Sequence, residues 1–240
     1  MSDRPIVRLN VLAKDVENAK QITEATAGNV YIGVMVKNFA AINDAVQTVR
    51  EFQQAHVPVS VGLGAGDPTQ WHRVVEVAIQ TKPVHVNQIF PAAGYTVGAL
   101  ESIGYPEAIV NALITPSGEP GKVYIGTGPQ SRNYKEAVSC EVAAALLQEI
   151  GVKSVKFYPI DGDKHLAELA AMVRAAVEQG IVIFEPTGGI DAHSVFPVVA
   201  TCADNGAQLI FPHIYTAFVD KTTGRTDADA VATLTRSLRR

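Results

Sequence analysis

A lysine stands inside the apolar run SVKFYPI at 154–160. Moving an ammonium out of water is expensive, so a lysine is seldom buried without a partner or a chemical role. In an apolar pocket the charged form is destabilised and the pKa falls, which makes a nucleophilic neutral amine available. Imine formation with a ketone requires such an amine, so Lys156 is the first candidate catalytic residue. The competing reading is a lysine that snorkels to solvent or pairs with a carboxylate such as Glu185.

Polar residues recur late in other apolar runs. His85 and Asn87 lie in PVHVNQI, Glu185 and Thr187 in IVIFEPT, and His213 in AQLIFPHI. Side chains two apart share a face of a strand. Lys156 and Tyr158, Glu185 and Thr187, His85 and Asn87, and Phe211 and His213 are therefore same-face pairs. Arg8 and Asn10 open the first run, Lys37 follows the second, and Gly64 and Asp67 close the third in GLGAGDP. Any one of these suits a hydrogen-bonded core position; their recurrence points to a built site. Glu185 shares the face of Thr187 one strand from Lys156, and is the first candidate general base. His213 is the second, since imidazole ordinarily titrates near neutrality. Lys37 or Arg8 could hold a substrate carboxylate. In EPTGGID, the adjacent Gly188 and Gly189 allow close backbone approach, and the following helix start suits a phosphate. The plain alternative is a strand–helix turn with Asp191 as N-cap.

These residues must be positioned by the elements that carry them. Eight short Val/Ile-rich runs, at 8–13, 30–36, 58–64, 83–89, 109–115, 154–160, 181–187 and 207–214, alternate with amphipathic helical stretches. Near-continuous apolar runs suit strands covered on both faces. The stretch DKHLAELAAMVRAAVEQG begins with Asp and ends with Gly, as a capped helix should. Eight strand–helix beats in 240 residues predict a single-domain α/β fold over 1–240, a (β/α)8 TIM barrel with its site at the C-terminal strand ends. The fifth beat carries extra residues, PSGEPGKVYIGTGPQSRNYKEA, read as a hairpin-like insertion before a helix at about 138–150. A doubly wound open sheet is the rival; it would want a Gly-rich loop after the first strand, where NVLAKDVENAK has none.

Composition narrows the function. Apolar residues make up 47% of the chain, and the formal net charge is −4 with scattered basic residues. No basic cluster with interleaved aromatics points to nucleic acid, and no apolar run approaches membrane-spanning length. The N-terminus lacks a signal-peptide plan. Cys140 and Cys202 lie in helix-like contexts and read as reduced thiols of a cytoplasmic protein.

VKFYP followed one strand later by EPTGGI resembles the KFFP and PTGGI segments of 2-keto-3-deoxy-6-phosphogluconate aldolases, and VGLGAGDP is similar to their strand-three GAGT segment. Across nearly all 240 residues the chain resembles more closely a bacterial branch, the DgaF-type KDGP aldolases of glucosaminate breakdown. There LNVLA, VGLGAGDP, HVNQ, PTGGID and PHIY occur in this order. The resemblance implies that Lys156 forms the imine, that Thr187, Gly188 and Gly189 hold the substrate phosphate, and that Gly64 and its neighbours line the pocket. It implies a homo-oligomer needing no metal or other cofactor, acting on a phosphorylated keto-sugar acid. The better-known enzymes carry a Glu near the end of strand two as acid/base and an Arg after it for the pyruvate carboxylate; VYIGVMVKNF has neither. Their Gly-Gly-Ser turn after strand eight is also missing from FPHIYTAF.

Three functions follow. The first is a retro-aldol lyase that forms its imine at Lys156, uses Glu185 or His213 as base, and contacts substrate through Asp67 and Asn87 besides the residues named above. The second is a metal-assisted lyase or epimerase with Asp67, His85, Glu185 or His213 as ligands, which come from separate strands without local ligand spacing. The third is a non-catalytic sugar-phosphate-binding barrel.

Overall fold

The computed structural model describes residues 5–239. Its eight apolar runs form parallel strands. The first run forms β2 (Leu9–Leu12), preceded by a short β1 (Ile6–Val7) that the run did not include. The others are β3 (Val30–Met35), β4 (Val59–Gly62), β5 (His85–Ile89), β6 (Ile109–Pro116), β9 (Ser154–Phe157), β10 (Ile183–Pro186) and β11 (Leu209–Ile210), with β7 (Lys122–Tyr124) and β8 (Val138–Ser139) between β6 and β9. Parallel pairing runs in the order β2-β3-β4-β5-β6-β9-β10-β11-β1. Because β1 and β2 are consecutive pieces of one segment, the order returns to its start and the sheet closes. Across the seam Asn10 N donates to Pro212 O at 3.0 Å, and Ile214 N donates to Asn10 O at 2.9 Å. Closure thus sets Asn10 of β2 beside His213, three residues past β11, where they form a parallel bridge. The TIM barrel expected from the sequence is formed.

Strand alternation divides the chain's chemistry in two. Outward positions such as Val11, Ile32, Val61, Val86, Ile114, Val155 and Phe184 are buried in one apolar ring between sheet and helices. Inward positions are polar through the middle of the barrel: Asn10, Ser60, His85, Asn87, Asn111, Ser154, Lys156, Glu185 and His213, all buried. A barrel interior is usually filled by branched apolar side chains. Here the N-terminal end is instead closed by a small separate cluster of Tyr31, Ile183 and Phe211, two of them aromatic.

The helices are α1 (Val16–Ala25), α2 (Ile42–Gln54), α3 (Trp71–Thr81), α4 (Phe90–Ser102), α5 (Cys140–Glu149), α6 (Leu166–Glu178), α7 (Val195–Asp204) and α8 (Ala228–Ser237). Asp15 caps α1, Ser139 caps α5 and Asp227 caps α8, each accepting first-turn N–H groups that lack helical partners. The cap expected at the Asp-led start of α6 is absent. This helix begins at Leu166 after His165, with no side-chain cap. His165 is instead drawn to Glu168, its Nδ1 lying 2.6 Å from Oε1. Glu168 Oε2 accepts from Gly118 N at 2.8 Å, which ties α6 to the insertion. The insertion itself is hairpin-like, as expected: β7 runs antiparallel to the end of β6 and β8 antiparallel to β7. Cys140 and Cys202 are free, buried thiols on α5 and α7. Among the described residues no helix is long and apolar enough to cross a membrane.

Two glycines of α4 separate propensity from packing. A Cβ at Gly94 would stand 2.9 Å from Ile150 Cβ and 3.3 Å from its carbonyl oxygen, whereas Gly98 has nothing within 4 Å. Gly98→Ala should stabilise the protein by about 0.5–1 kcal/mol through helix propensity, and Gly94→Ala should destabilise it by about 1–3 kcal/mol through overpacking. Urea denaturation of the two variants checks both signs.

Candidate active site

The inward polar residues form one hydrogen-bonded cluster with Glu185 at its centre. Glu185 Oε1 accepts from Ser154 Oγ at 2.6 Å and from His85 Nε2 at 2.8 Å. Oε2 accepts from Asn111 Nδ2 at 2.6 Å and from His213 Nε2 at 2.9 Å. The carboxylate is fully buried. Burial acts to raise its pKa, but attraction to His85 and hydrogen bonds from both histidines outweigh this and hold Glu185 below the usual carboxylate range.

Lys156 lies one step above. It is 7% exposed. Its Nζ donates to Asn87 Oδ1 at 2.9 Å and lies 3.1 Å from His213 Nδ1. Asn87 is held with its carbonyl toward the lysine, because Asn111 Nδ2 also donates to Oδ1 at 2.9 Å while Asn87 Nδ2 donates to Ser60 Oγ at 2.9 Å. The partners of His213 assign its tautomer. Glu185 can only accept, so Nε2 carries the proton and Nδ1 presents a lone pair to Lys156 and to the Tyr215 hydroxyl at 3.0 Å. Burial, and then the positive charge of Lys156, push His213 down to about 3, with Glu185 opposing, so the imidazole is neutral. Burial likewise pulls Lys156 down to about 8, against the charge of Glu185. At pH 7 roughly a tenth of such a lysine is neutral amine, against well under a thousandth for an ordinary one.

Lys156, Asn87, His213 and Tyr215 face a cavity of about 270 Å³ at the C-terminal mouth of the barrel. Gly64 to Gly66 form one wall, and Thr187 to Ile190 form another. Gly188 and Gly189 adopt φ of +107° and +67°, backbone that favours glycine. A Cβ on Gly188 would also come 3.1 Å from Pro159 Cα. Among the described residues the N–H groups of Gly188, Gly189 and Ile190 find no protein acceptor. The start of α7 is different. Asp191 already takes the N–H groups of His193 and Ser194, so any anion site here is the turn and not the helix end.

Several sequence expectations are corrected. Arg8 is at the wrong end of the barrel to hold a substrate carboxylate. Its guanidinium lies 4.8 Å over the Tyr31 ring, in the apolar layer that closes the N-terminal end, because it precedes the first strand's inward Asn10. Lys37 and Asp67 pair with each other at 3.0 Å, partly exposed, and neither lines the cavity. Glu185 neighbours Lys156 in strand register but is not bonded to the ammonium and does not reach the cavity; His213 stands between them. Among the described residues no three His, Cys, Asp or Glu side chains gather around a point that could hold a metal. The cluster also contains residues the sequence reading passed over: Ser60, Asn111, Ser154 and Tyr215. Ser60, Asn111 and Ser154 fall on the inward alternation inside their own runs, where the period-two rule reaches them, whereas Tyr215 lies beyond the last run.

A family model described as KDGP aldolase matches residues 3–222. A curated 2-dehydro-3-deoxy-phosphogluconate aldolase of Salmonella typhimurium (strain 14028s / SGSC 2262) is 40% identical over 232 residues, covering 96% of this chain and 94% of that protein. Among solved structures, a mutant tryptophan synthase alpha-subunit from Pyrococcus furiosus aligns with TM-score 0.61 at 12% identity, covering 100% and 99% of the two chains. KGPDC from Streptococcus mutans aligns with TM-score 0.58 at 12% identity, covering 99% and 100%. At such identity the structural likeness speaks for the fold alone.

The central carboxylate sets a test of the cluster. In Glu185→Gln an amide N–H₂ would face donors in place of an acceptor oxygen, which should lower stability at pH 7 by about 2–4 kcal/mol. Because folding depresses the pKa of Glu185, its contribution is complete above the unfolded carboxyl value of about 4.3 and is lost as pH falls below it. The variant's stability should therefore fall less steeply than the wild type's in acid, as denaturant titrations at several pH values would measure.

Proposed function

The chain belongs to the KDGP aldolase family, and on that premise we propose that it is a class I aldolase that cleaves 2-dehydro-3-deoxy-6-phosphogluconate to pyruvate and glyceraldehyde 3-phosphate through an imine on Lys156, in sugar-acid catabolism. The observation that carries this reading is the bonding of Lys156 Nζ. A neutral amine has two N–H groups and one lone pair. Asn87 Oδ1 and His213 Nδ1 take the two N–H groups, which leaves the lone pair directed away from both, toward the cavity.

That lone pair attacks the C2 ketone, and loss of water gives an iminium. The iminium accepts the electrons of the C3–C4 bond when a base takes the C4 hydroxyl proton. Glyceraldehyde 3-phosphate leaves, and the enamine left on the lysine is protonated at C3. Hydrolysis of the resulting imine, which takes back one water, frees pyruvate. Glu185 does not touch substrate in this scheme. It is a positioning residue that fixes the tautomer of His213, the part a buried carboxylate plays behind a histidine in hydrolytic triads. The unengaged N–H groups of Gly188 to Ile190, with Thr187, suit the phosphate. Gly64 and its neighbours line the keto-acid end.

Incubation with pyruvate and borohydride, followed by mass analysis of peptides, should place a reduced adduct on Lys156. Lys156→Arg should give no adduct and no cleavage while keeping the fold, since a guanidinium can still donate to Asn87 and His213 but stays protonated at any working pH. Wild-type turnover in that variant, or an adduct on another lysine, would contradict the assignment.

A further inference from the structure

Tyr215 follows His213 by two residues and so returns to the inward side of the barrel. It is partly buried and lines the same cavity as Lys156. Its hydroxyl is 3.0 Å from His213 Nδ1, the atom that Lys156 Nζ approaches at 3.1 Å. Nζ lies 6.0 Å from the centre of the Tyr215 ring. The ring lies beside Gly33, where a Cβ would stand in ordinary contact, 3.5 Å from Tyr215 Cε1. Two donors thus converge on one lone pair. One belongs to the amine that becomes the imine. The other is a phenol whose pKa burial raises, with the charge of Glu185 adding to the shift, so that at rest it is a neutral donor facing the reacting lysine.

We propose that Tyr215 is the group that exchanges protons with the substrate, with His213 as its proton reservoir; this rests on the imine reading above. In cleavage the C4 hydroxyl gives its proton to Tyr215 Oη while the phenol's own proton moves to His213 Nδ1. The C4 oxygen's electron pair becomes the aldehyde carbonyl, and the C3–C4 pair enters the enamine and neutralises the iminium nitrogen. One positive charge has moved from iminium to imidazolium, where Glu185 faces it across 2.9 Å. The cation that suppresses the basicity of His213 fades in the same step that asks His213 to accept a proton. In the second half, Tyr215 delivers its proton to C3 of the enamine and recovers one from Nδ1, which restores the neutral imidazole and the pyruvate iminium. His213 is second in the line because its Nε2 is committed to Glu185 and its Nδ1 is covered by the tyrosine and the lysine.

The test is Tyr215→Phe, which removes one oxygen and keeps the ring in its place beside Gly33. Its borohydride trapping of pyruvate on Lys156 should stay within about twofold of wild type. Aldol cleavage and exchange of the pyruvate methyl protons should both fall by about 10²–10⁴-fold, the contribution of a positioned acid/base. Cleavage and exchange near wild-type rates would overturn the proposal. So would trapping that slows in parallel with cleavage, since Tyr215 would then only orient His213 and the lysine. Failure of the wild type to form an adduct would instead remove the imine reading, and is seen before the variant is made. Should the Phe variant lose its thermal unfolding transition, 3-fluorotyrosine at 215 replaces it. The lower phenol pKa should displace the pH profile of methyl-proton exchange, and an unmoved profile would refute the role.

Discussion

A carboxylate sealed inside a barrel must be satisfied by protein alone, and the interior of this one is organised around that requirement. An isolated buried charge costs several kcal/mol even after relaxation. Glu185 is stabilised by four donors drawn from β5, β6 and β9 and from His213 just beyond β11. Those donors can meet at one point only because the sheet closes. Each of them is then fixed by its duty to Glu185. His213 must carry its proton on Nε2, so its Nδ1 is a lone pair. Asn111 also donates to Asn87, so the carbonyl of Asn87 faces upward. The lysine is held between two acceptors that it did not choose.

This arrangement resolves an apparent conflict. Lys156 is close in register to a carboxylate, and a direct ion pair would favour the ammonium and keep the amine protonated. Placing neutral His213 between them dilutes that attraction, and desolvation then prevails. The same separation leaves Glu185 bonded to His213 Nε2 and outside the cavity.

Much of this was legible in the sequence because a barrel converts a period of two into a place. Lys156, Glu185, His213 and Asn87 were all found from their positions in apolar runs, and the eight beats and the insertion were found from periodicity and turn residues. The errors have physical causes. Arg8 opens its run, and the start of a strand lies at the N-terminal end of the barrel, away from any substrate carboxylate at the mouth. Lys37 and Asp67 were each offered to substrate because a cross-loop ion pair is a tertiary fact. Tyr215 went unnoticed because it follows the last apolar run, where alternation is hard to extend, and because a tyrosine next to a histidine has no motif of its own.

Lys156 is a desolvated amine, poised near neutrality by neutral partners and not by an ion pair. Nitrogen-15 NMR of lysine-labelled protein, with Lys156→Arg used to assign the resonance, measures its titration directly. A midpoint at about 8 is the expected result. A midpoint at or above the ordinary lysine value of about 10.4 would mean that the ammonium is stabilised in place and that desolvation does not set its protonation.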